Sequence, residues 1–298
     1  MWRQRISRFQ LPVFFILAFV LTWSVQLVAY RYAHTSGHQI SNEDNLVHFR
    51  DLITGDIDPS FLPYLLLFHI AFGPSIAGII VAFVFNGSDA VRVIFRRLFR
   101  VRIPFRWAII TLSIPIVWSA VALLVGLAAN GFRPLNFNFL VPLALAPALF
   151  LYMFIFTGLS EEIGWRGYAL PQLQKSFTAE RSSWILGMLW GLWHLPSVLF
   201  IPYLRGELTI FVALVSVLGL TFGIVGWTIV ITWVYNNTES VFWIVVLHAL
   251  TNTMQSYFVL SSGSSVAMTV WPLIPWIFAI FLLKKFGGKT LTGKTTVY

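Results

Sequence analysis

Long apolar stretches alternate with short polar segments along almost the whole chain. Each stretch has roughly the 20 residues that a helix needs to cross the hydrocarbon core of a bilayer. There are eight of them, and they cover residues 11–30, 61–85, 107–129, 140–159, 183–203, 209–235, 240–260 and 267–286. The pattern predicts an all-α fold, a polytopic membrane helix bundle of about eight transmembrane helices.

Three segments between the spans have mixed patterns. Residues 31–60 hold three histidines and five acidic residues, and we expect a solvated loop there, with a metal site as the alternative. In residues 92–106 arginines alternate with apolar residues, which predicts a basic amphipathic helix on the membrane surface. Residues 160–175 predict a partly amphipathic helix between the fourth and fifth spans.

The composition excludes a soluble protein. Of the 298 residues, 58% are hydrophobic and only 10% are charged, whereas soluble domains carry about 25% charged residues. No polar segment is long enough to fold separately, so we expect a single integral membrane domain over residues 1–298. The chain contains no cysteine, which excludes disulfides, thiolate catalysis and cysteine-zinc sites.

The net charge of +9 could indicate binding to nucleic acid, but the basic residues lie in short segments between apolar stretches. With a cytoplasmic N-terminus, sixteen of the twenty Lys and Arg residues face the cytoplasm, in line with the positive-inside rule. We therefore expect a lipid bilayer, and no nucleic acid, as partner. The expected protein is multi-pass, with both termini in the cytoplasm, in a bacterial plasma membrane.

Two adjacent carboxylates, Glu161 and Glu162, lie beside predicted hydrocarbon. Charged groups are costly there and usually mark a functional site. On a helix, Glu162 and Arg166 share one face in the favoured order, so Arg166 would brace Glu162. Glu161 points about 100° away from Glu162, which leaves it free to act as a base. The alternative is an interfacial pair without chemistry.

A histidine, His194, precedes Pro196 by two residues in the fifth predicted span. Proline disfavours helical geometry at the residue before it, and a histidine beside such a break faces a cavity more readily than lipid. Trp190 lies one turn earlier and can pack against the imidazole ring. The alternative is a histidine bonded to a neighbouring carbonyl.

His248 and Asn252 are four residues apart on a predicted helix, so their side chains face one direction. An imidazole N–H and an amide N–H can together hold a developing oxyanion, whereas the alternative is a pair that packs two membrane helices together. With Glu161 and His194 they occupy three segments of a motif region at about 155–260. Convergence in a polar intramembrane cavity would satisfy all of these groups.

Carboxylate, imidazole and amide groups can activate water and stabilise an oxyanion, so the sequence predicts an enzyme that cuts peptide bonds within or beside the bilayer. In chain order, the motifs read Glu161-Glu162-x-x-x-Arg166, Trp190-x-x-x-His194 and His248-x-x-x-Asn252. They resemble the EExxxR, FxxxH and HxxxN motifs of the CAAX protease and bacteriocin-processing (CPBP) family of intramembrane peptidases, which includes the type II CAAX prenyl endopeptidases. Trp190 stands where phenylalanine is usual, an exchange of aromatic residues that we expect to leave the chemistry intact.

The resemblance implies a helix bundle whose cavity opens toward the cytoplasm, and an endopeptidase for membrane-anchored, hydrophobic or lipidated peptides. It implies that Glu161 activates a water that His194 orients, while His248 and Asn252 bind the oxyanion. The family has been called metalloproteases, so zinc on Glu161, His194 and His248 is an alternative. We expect no cofactor, because zinc on His248 would remove an oxyanion donor.

A non-catalytic immunity protein or a transporter could use the same polar groups. A transporter would show interrupted helices in both halves of the chain, whereas the polar motifs lie only in the second half. Immunity that survives a Glu161→Gln exchange would separate an immunity role from proteolysis.

Overall fold

The computed structural model describes residues 9–38, 40–70 and 72–294. Within these ranges the chain is a bundle of helices without β-strands, as the apolar pattern predicts. The principal helices, labelled in chain order, are α1 (Gln10–Thr35), α2 (Asn42–Thr54), α3 (Leu62–His69), α4 (Gly73–Asn86), α5 (Ser88–Leu98), α6 (Phe105–Ala129), α7 (Leu143–Leu173), α8 (Ala179–Trp193), α9 (Pro196–Leu204), α10 (Ile210–Thr238), α11 (Val241–Met254) and α12 (Ser265–Phe286).

The count of eight spans is not confirmed. In the described ranges, six helical stretches are long and apolar enough to cross a membrane, namely α1, α3 with α4, α6, α7, α10 and α12. A seventh span results if α8 and α9 are counted together across their 41° bend. The remaining predicted span, the seventh at 240–260, contains α11, which has 14 residues and carries the polar side chains of His248 and Asn252.

The motif segment at residues 160–175 is not a separate amphipathic connector, which corrects the prediction. It continues the fourth predicted span, so that α7 runs through 31 residues. Two π-helical segments, Phe154–Leu159 and Ile163–Ala169, flank the glutamate pair, and such segments are frequent at functional sites. All residues from 160 to 171 are buried, and Glu161, Glu162 and Arg166 form hydrogen bonds with side chains inside the protein.

Two glycines allow neighbouring helices to approach α7 closely. A β-carbon at Gly164 would overlap the Pro74 carbonyl group of α4, and a β-carbon at Gly158 would lie 2.8 Å from Val245 Cγ1 of α11. Small residues commonly mark the contacts between membrane helices, since close backbone approach increases van der Waals packing. Both α4 and α11 therefore pack directly on the helix that carries the two glutamates.

The bend between α8 and α9 lies where Pro196 predicts a break. Helix α8 ends at Trp193, Pro196 begins α9, and His194 lies at the junction. The indole N–H of Trp23 in α1 donates a hydrogen bond to the Trp193 carbonyl oxygen at 2.9 Å. This contact satisfies one carbonyl at the end of α8 and fixes the junction against α1.

Two other segments differ from the prediction. Residues 31–60 are not mainly loop, since α1 extends to Thr35 and α2 occupies Asn42–Thr54. In the segment 92–106, α5 ends at Leu98 and α6 begins at Phe105, so residues 99–104 are not helical. Ile94 of α5 is buried beside Gly167 of α7. Part of the apolar face of α5 is therefore covered by protein rather than by lipid.

Candidate active site

The predicted site residues lie on α7, at the C-terminal end of α8 and on α11. On α7, Glu161 is 6% exposed, while Glu162 and Arg166 are fully buried. His248 of α11 is also only 6% exposed. Buried charges are tolerated when they are paired and hydrogen-bonded, so the partners of these four side chains define the site.

Glu162 and Arg166 form the ion pair that their spacing predicts. Arg166 Nη1 lies 3.0 Å from Glu162 Oε1 and 2.9 Å from Oε2. From α11, His248 Nδ1 lies 2.8 Å from Glu162 Oε1. Glu162 therefore connects α7 to α11 and has a nitrogen partner on each oxygen.

Glu161 has different surroundings, as its direction on α7 predicts. The indole N–H of Trp190 donates a hydrogen bond to Glu161 Oε2 at 2.6 Å, and the indole N–H of Trp165 donates to the same oxygen at 3.3 Å. Within the described part of the chain, Glu161 forms no ion pair and its Oε1 accepts no hydrogen bond. Oε1 is therefore the atom that remains available for a proton.

His194 lies at the α8–α9 bend and is half-buried. Its Nδ1 lies 2.8 Å from the Trp190 carbonyl oxygen, so Nδ1 carries the hydrogen and Nε2 presents a lone pair. The carbonyl bond of the alternative hypothesis is thus present, and it fixes the tautomer that can accept a hydrogen bond from water. The rings of His194 and His248 lie beside the Trp190 ring, at 6.1 Å and 5.6 Å between ring centres, and the Trp190 indole binds Glu161.

Asn252 lies one turn beyond His248 and is half-buried. Its amide Nδ2 donates a hydrogen bond to Thr157 Oγ1 of α7 at 3.2 Å, and the Thr157 hydroxyl donates to the Met153 carbonyl oxygen at 2.6 Å. This contact is the helix-packing bond of the alternative hypothesis. It uses one of the two amide hydrogens and leaves the second for a ligand.

Sequence reasoning missed two residues of the site, Thr157 and Trp165. Each is four residues from Glu161 on α7, one turn before it and one turn after it, where helical side chains are neighbours. A search for hydrogen-bonding side chains at these two spacings would have found both. The role predicted for Trp190 was also incomplete. Its indole N–H donates a hydrogen bond to Glu161, and phenylalanine has no such donor.

The alternative metal site is not supported by the side-chain arrangement. Among the residues that the structure describes, no three His, Asp or Glu side chains are grouped so that they could hold a metal ion. Glu161 Oε2 accepts two indole N–H groups, and His248 Nδ1 is directed at Glu162. Glu161 Oε2 and His248 Nδ1 are therefore engaged with other side chains, and these contacts do not form a ligand set for zinc.

Comparisons with known proteins concern this same region. Residues 142–254, which include all three motifs, match the family model described as "Type II CAAX prenyl endopeptidase Rce1-like". Over 126 residues the chain is 32% identical to the CAAX prenyl protease 2 of Methanococcus maripaludis, covering 41% of this chain and 45% of that protein. The chain therefore matches less than half the length of this curated relative.

Proposed function

We propose, from the premise that residues 142–254 belong to the type II CAAX prenyl endopeptidase-like proteins of the CPBP family, that the chain is an intramembrane endopeptidase. In this proposal a glutamate-activated water hydrolyses peptide bonds in membrane-associated, hydrophobic or lipidated peptides. The observation that carries it is that Glu161 of α7, His194 at the α8–α9 bend and His248 of α11 all lie against the side chain of Trp190.

Glu161 is the base in the proposed reaction. Because two N–H groups hold Oε2, the other oxygen, Oε1, takes a proton from a water molecule. The lone pair on His194 Nε2 accepts the second hydrogen of that water and so orients its oxygen. The resulting hydroxide attacks the scissile carbonyl carbon, and the proton on Glu161 then passes to the departing amine, which restores the carboxylate.

His248 and Asn252 stabilise the oxyanion. Since His248 donates through Nδ1 to Glu162, it can donate a second hydrogen bond through Nε2 only as the imidazolium ion. The charges then balance, with Glu161 and Glu162 negative and Arg166 and His248 positive. A preorganised cation and an amide N–H near the developing negative charge would stabilise the tetrahedral intermediate.

No metal ion takes part in the proposed reaction. The expected result is that cleavage by the purified protein is unchanged by EDTA or by 1,10-phenanthroline. A loss of cleavage that added zinc restores would show that the side chains rearrange around a metal and would contradict this part of the proposal.

The proposed location is a bacterial plasma membrane, with both termini in the cytoplasm. The chain has no cysteine, so single exposed thiols can be introduced at Thr35, at the end of α1, and at Ser176, which follows α7. An impermeant thiol reagent should label Thr35→Cys in intact cells and Ser176→Cys only after lysis. The opposite labelling pattern would show that both termini lie outside the cytoplasm.

The proposed function is tested with detergent-purified protein and a panel of membrane-tethered peptides that differ in hydrophobicity and lipidation. Mass spectrometry should show cleavage by the wild type and none by Glu161→Gln. Glu207→Gln is the matched control, because Glu207 is exposed and pairs with Arg205 away from the site. Cleavage by Glu161→Gln equal to that of the wild type, or none by the wild type across the panel, contradicts the proposal. If cells that produce the Glu161→Gln variant remain protected against a peptide toxin, the chain acts as a non-catalytic immunity protein.

A further inference from the structure

Trp190 is the residue that contacts most of the charged groups in the site. Its indole N–H donates to Glu161 at 2.6 Å, and the Arg166 guanidinium carbon lies 4.2 Å from the centre of its ring. The His248 ring meets it edge to face, with ring centres 5.6 Å apart. One side chain therefore touches the ion pair of α7, the proposed base and the α11 histidine.

The backbone of Trp190 contacts the remaining residue of the proposed mechanism, His194. Its carbonyl oxygen accepts the hydrogen bond from His194 Nδ1. The same residue thus orients Glu161 through its side-chain N–H and His194 through its backbone oxygen. A rotation of Trp190 would displace the two groups that, in the proposed mechanism, bind the same water.

We propose that Trp190 and Trp165 are positioning residues that hold Glu161 Oε2 and thereby assign Oε1 as the atom that takes the proton. This inference rests on the proposed function. An indole N–H is a donor without charge and cannot accept a proton. Two such donors satisfy one oxygen of a buried carboxylate without enclosing the carboxylate in an ion pair, so the second oxygen stays free to bind water.

Trp193 provides a matched control within the same helix. It is 7% exposed and its ring lies edge to face with His194, at 4.8 Å between ring centres. In the described part of the chain its indole N–H has no hydrogen-bond partner. A change from Trp to Phe at 190, 165 or 193 removes the same N–H group, but only the first two changes remove a bond to Glu161.

Steady-state kinetics of the three Trp→Phe variants test the proposal. Hydrogen bonds to charged groups correspond to about a tenfold effect or more on rate, so Trp190→Phe should lower kcat by that factor and leave KM unchanged. Trp165→Phe should have a smaller effect, because its bond is longer, and Trp193→Phe should retain the wild-type kcat and KM. Wild-type kcat in Trp190→Phe, or equal losses in all three variants, would overturn the proposal while leaving the proposed function intact.

A second measurement does not depend on cleavage or on the folding of Trp190→Phe. In an NMR spectrum of the indole N–H groups, ¹⁵N-labelled protein should give one signal for each of the thirteen tryptophans. Glu161→Leu should shift two of these signals strongly upfield, because two donors lose their carboxylate. If no indole signal moves, the proposal fails, even where the wild type cleaves peptides. If the wild type does not cleave, the proposed function fails and this spectrum still decides the contact.

Discussion

The two glutamates are adjacent in the chain but lie in two different regions of the site. The ion-pair side of α7 consists of Glu162, Arg166 and His248, and within the described residues each hydrogen bond of the Glu162 carboxylate is to a cation or an imidazole. The indole side consists of Glu161, Trp165 and Trp190, and there the donors are neutral and occupy one oxygen only. Adjacent residues on a helix point in different directions, so one motif can supply both an anchor and a base.

The ion-pair side is expected to serve the stability of the fold, and the indole side the chemistry. Removing one partner of a buried ion pair leaves an uncompensated charge, which is strongly destabilising. Removing a neutral donor leaves a carboxylate that is less well oriented but creates no unpaired charge. Variants on the ion-pair side should therefore act mainly on folding, and variants on the indole side mainly on turnover.

The largest effect is expected for Glu161→Gln, which keeps the shape of the side chain but removes the base. A lost general base typically lowers the rate by about 10²–10⁴-fold, and we expect a decrease in kcat in the upper part of this range with little change in unfolding temperature. Glu162→Gln should instead lower the unfolding temperature, because Arg166 loses its counter-charge. Equal effects of the two exchanges on turnover and on stability would contradict the division.

Arg166→Met is expected to destabilise the fold, since it removes the guanidinium partner of the buried Glu162 carboxylate. The expected loss in the free energy of unfolding is about 3–5 kcal/mol, measured by denaturant unfolding in mixed micelles. Trp165→Phe is the control on the indole side of α7 and should change stability much less. A fully stable Arg166→Met variant would show that the ion pair is not an anchor.

Asn252→Ala should reduce turnover by about 10²–10³-fold, the usual effect of removing one oxyanion donor. KM should not change, because the contact forms only when the oxyanion develops. Steady-state kinetics with the best peptide of the panel provide the measurement. A rise in KM at constant kcat would indicate that Asn252 binds the substrate in its ground state.

The smallest effect is expected for Thr157→Val, which removes the hydroxyl that holds the Asn252 amide and retains the side-chain shape. The net free-energy contribution of a hydrogen bond is about 0.5–1.5 kcal/mol, so the decrease in kcat should be severalfold. In the Asn252→Ala background the same exchange should have no further effect, which a double-mutant cycle measures. Additive losses would place Thr157 in an independent role.

Local spacing was sufficient to predict part of the site. The Glu162–Arg166 pair, the shared face of His248 and Asn252 and the bend near Pro196 all follow from helix geometry within a few residues. The all-α membrane architecture follows from the apolar pattern. Each of these predictions depends only on residues close together in sequence.

Contacts between distant segments could not be predicted in the same way. The bond from Trp190 to Glu161 joins residues 29 apart, and the bond from His248 to Glu162 joins residues 86 apart. Nothing in the sequence of one helix specifies which side chain of another helix it meets. The amphipathic prediction for residues 160–175 failed for this reason, because polar residues that suggest a solvated face are satisfied by neighbouring helices.

The role of Glu161 as a base acting on water is tested most directly by isotope transfer in a single turnover. Excess enzyme is mixed with a membrane-tethered peptide in H₂¹⁸O, and the first products are analysed by mass spectrometry. Direct attack by water predicts one ¹⁸O atom in the new C-terminal carboxylate of the product and none in the enzyme. An unlabelled first product, with ¹⁸O found in the side chain of Glu161, would show that this carboxylate is a nucleophile and would contradict the proposed mechanism.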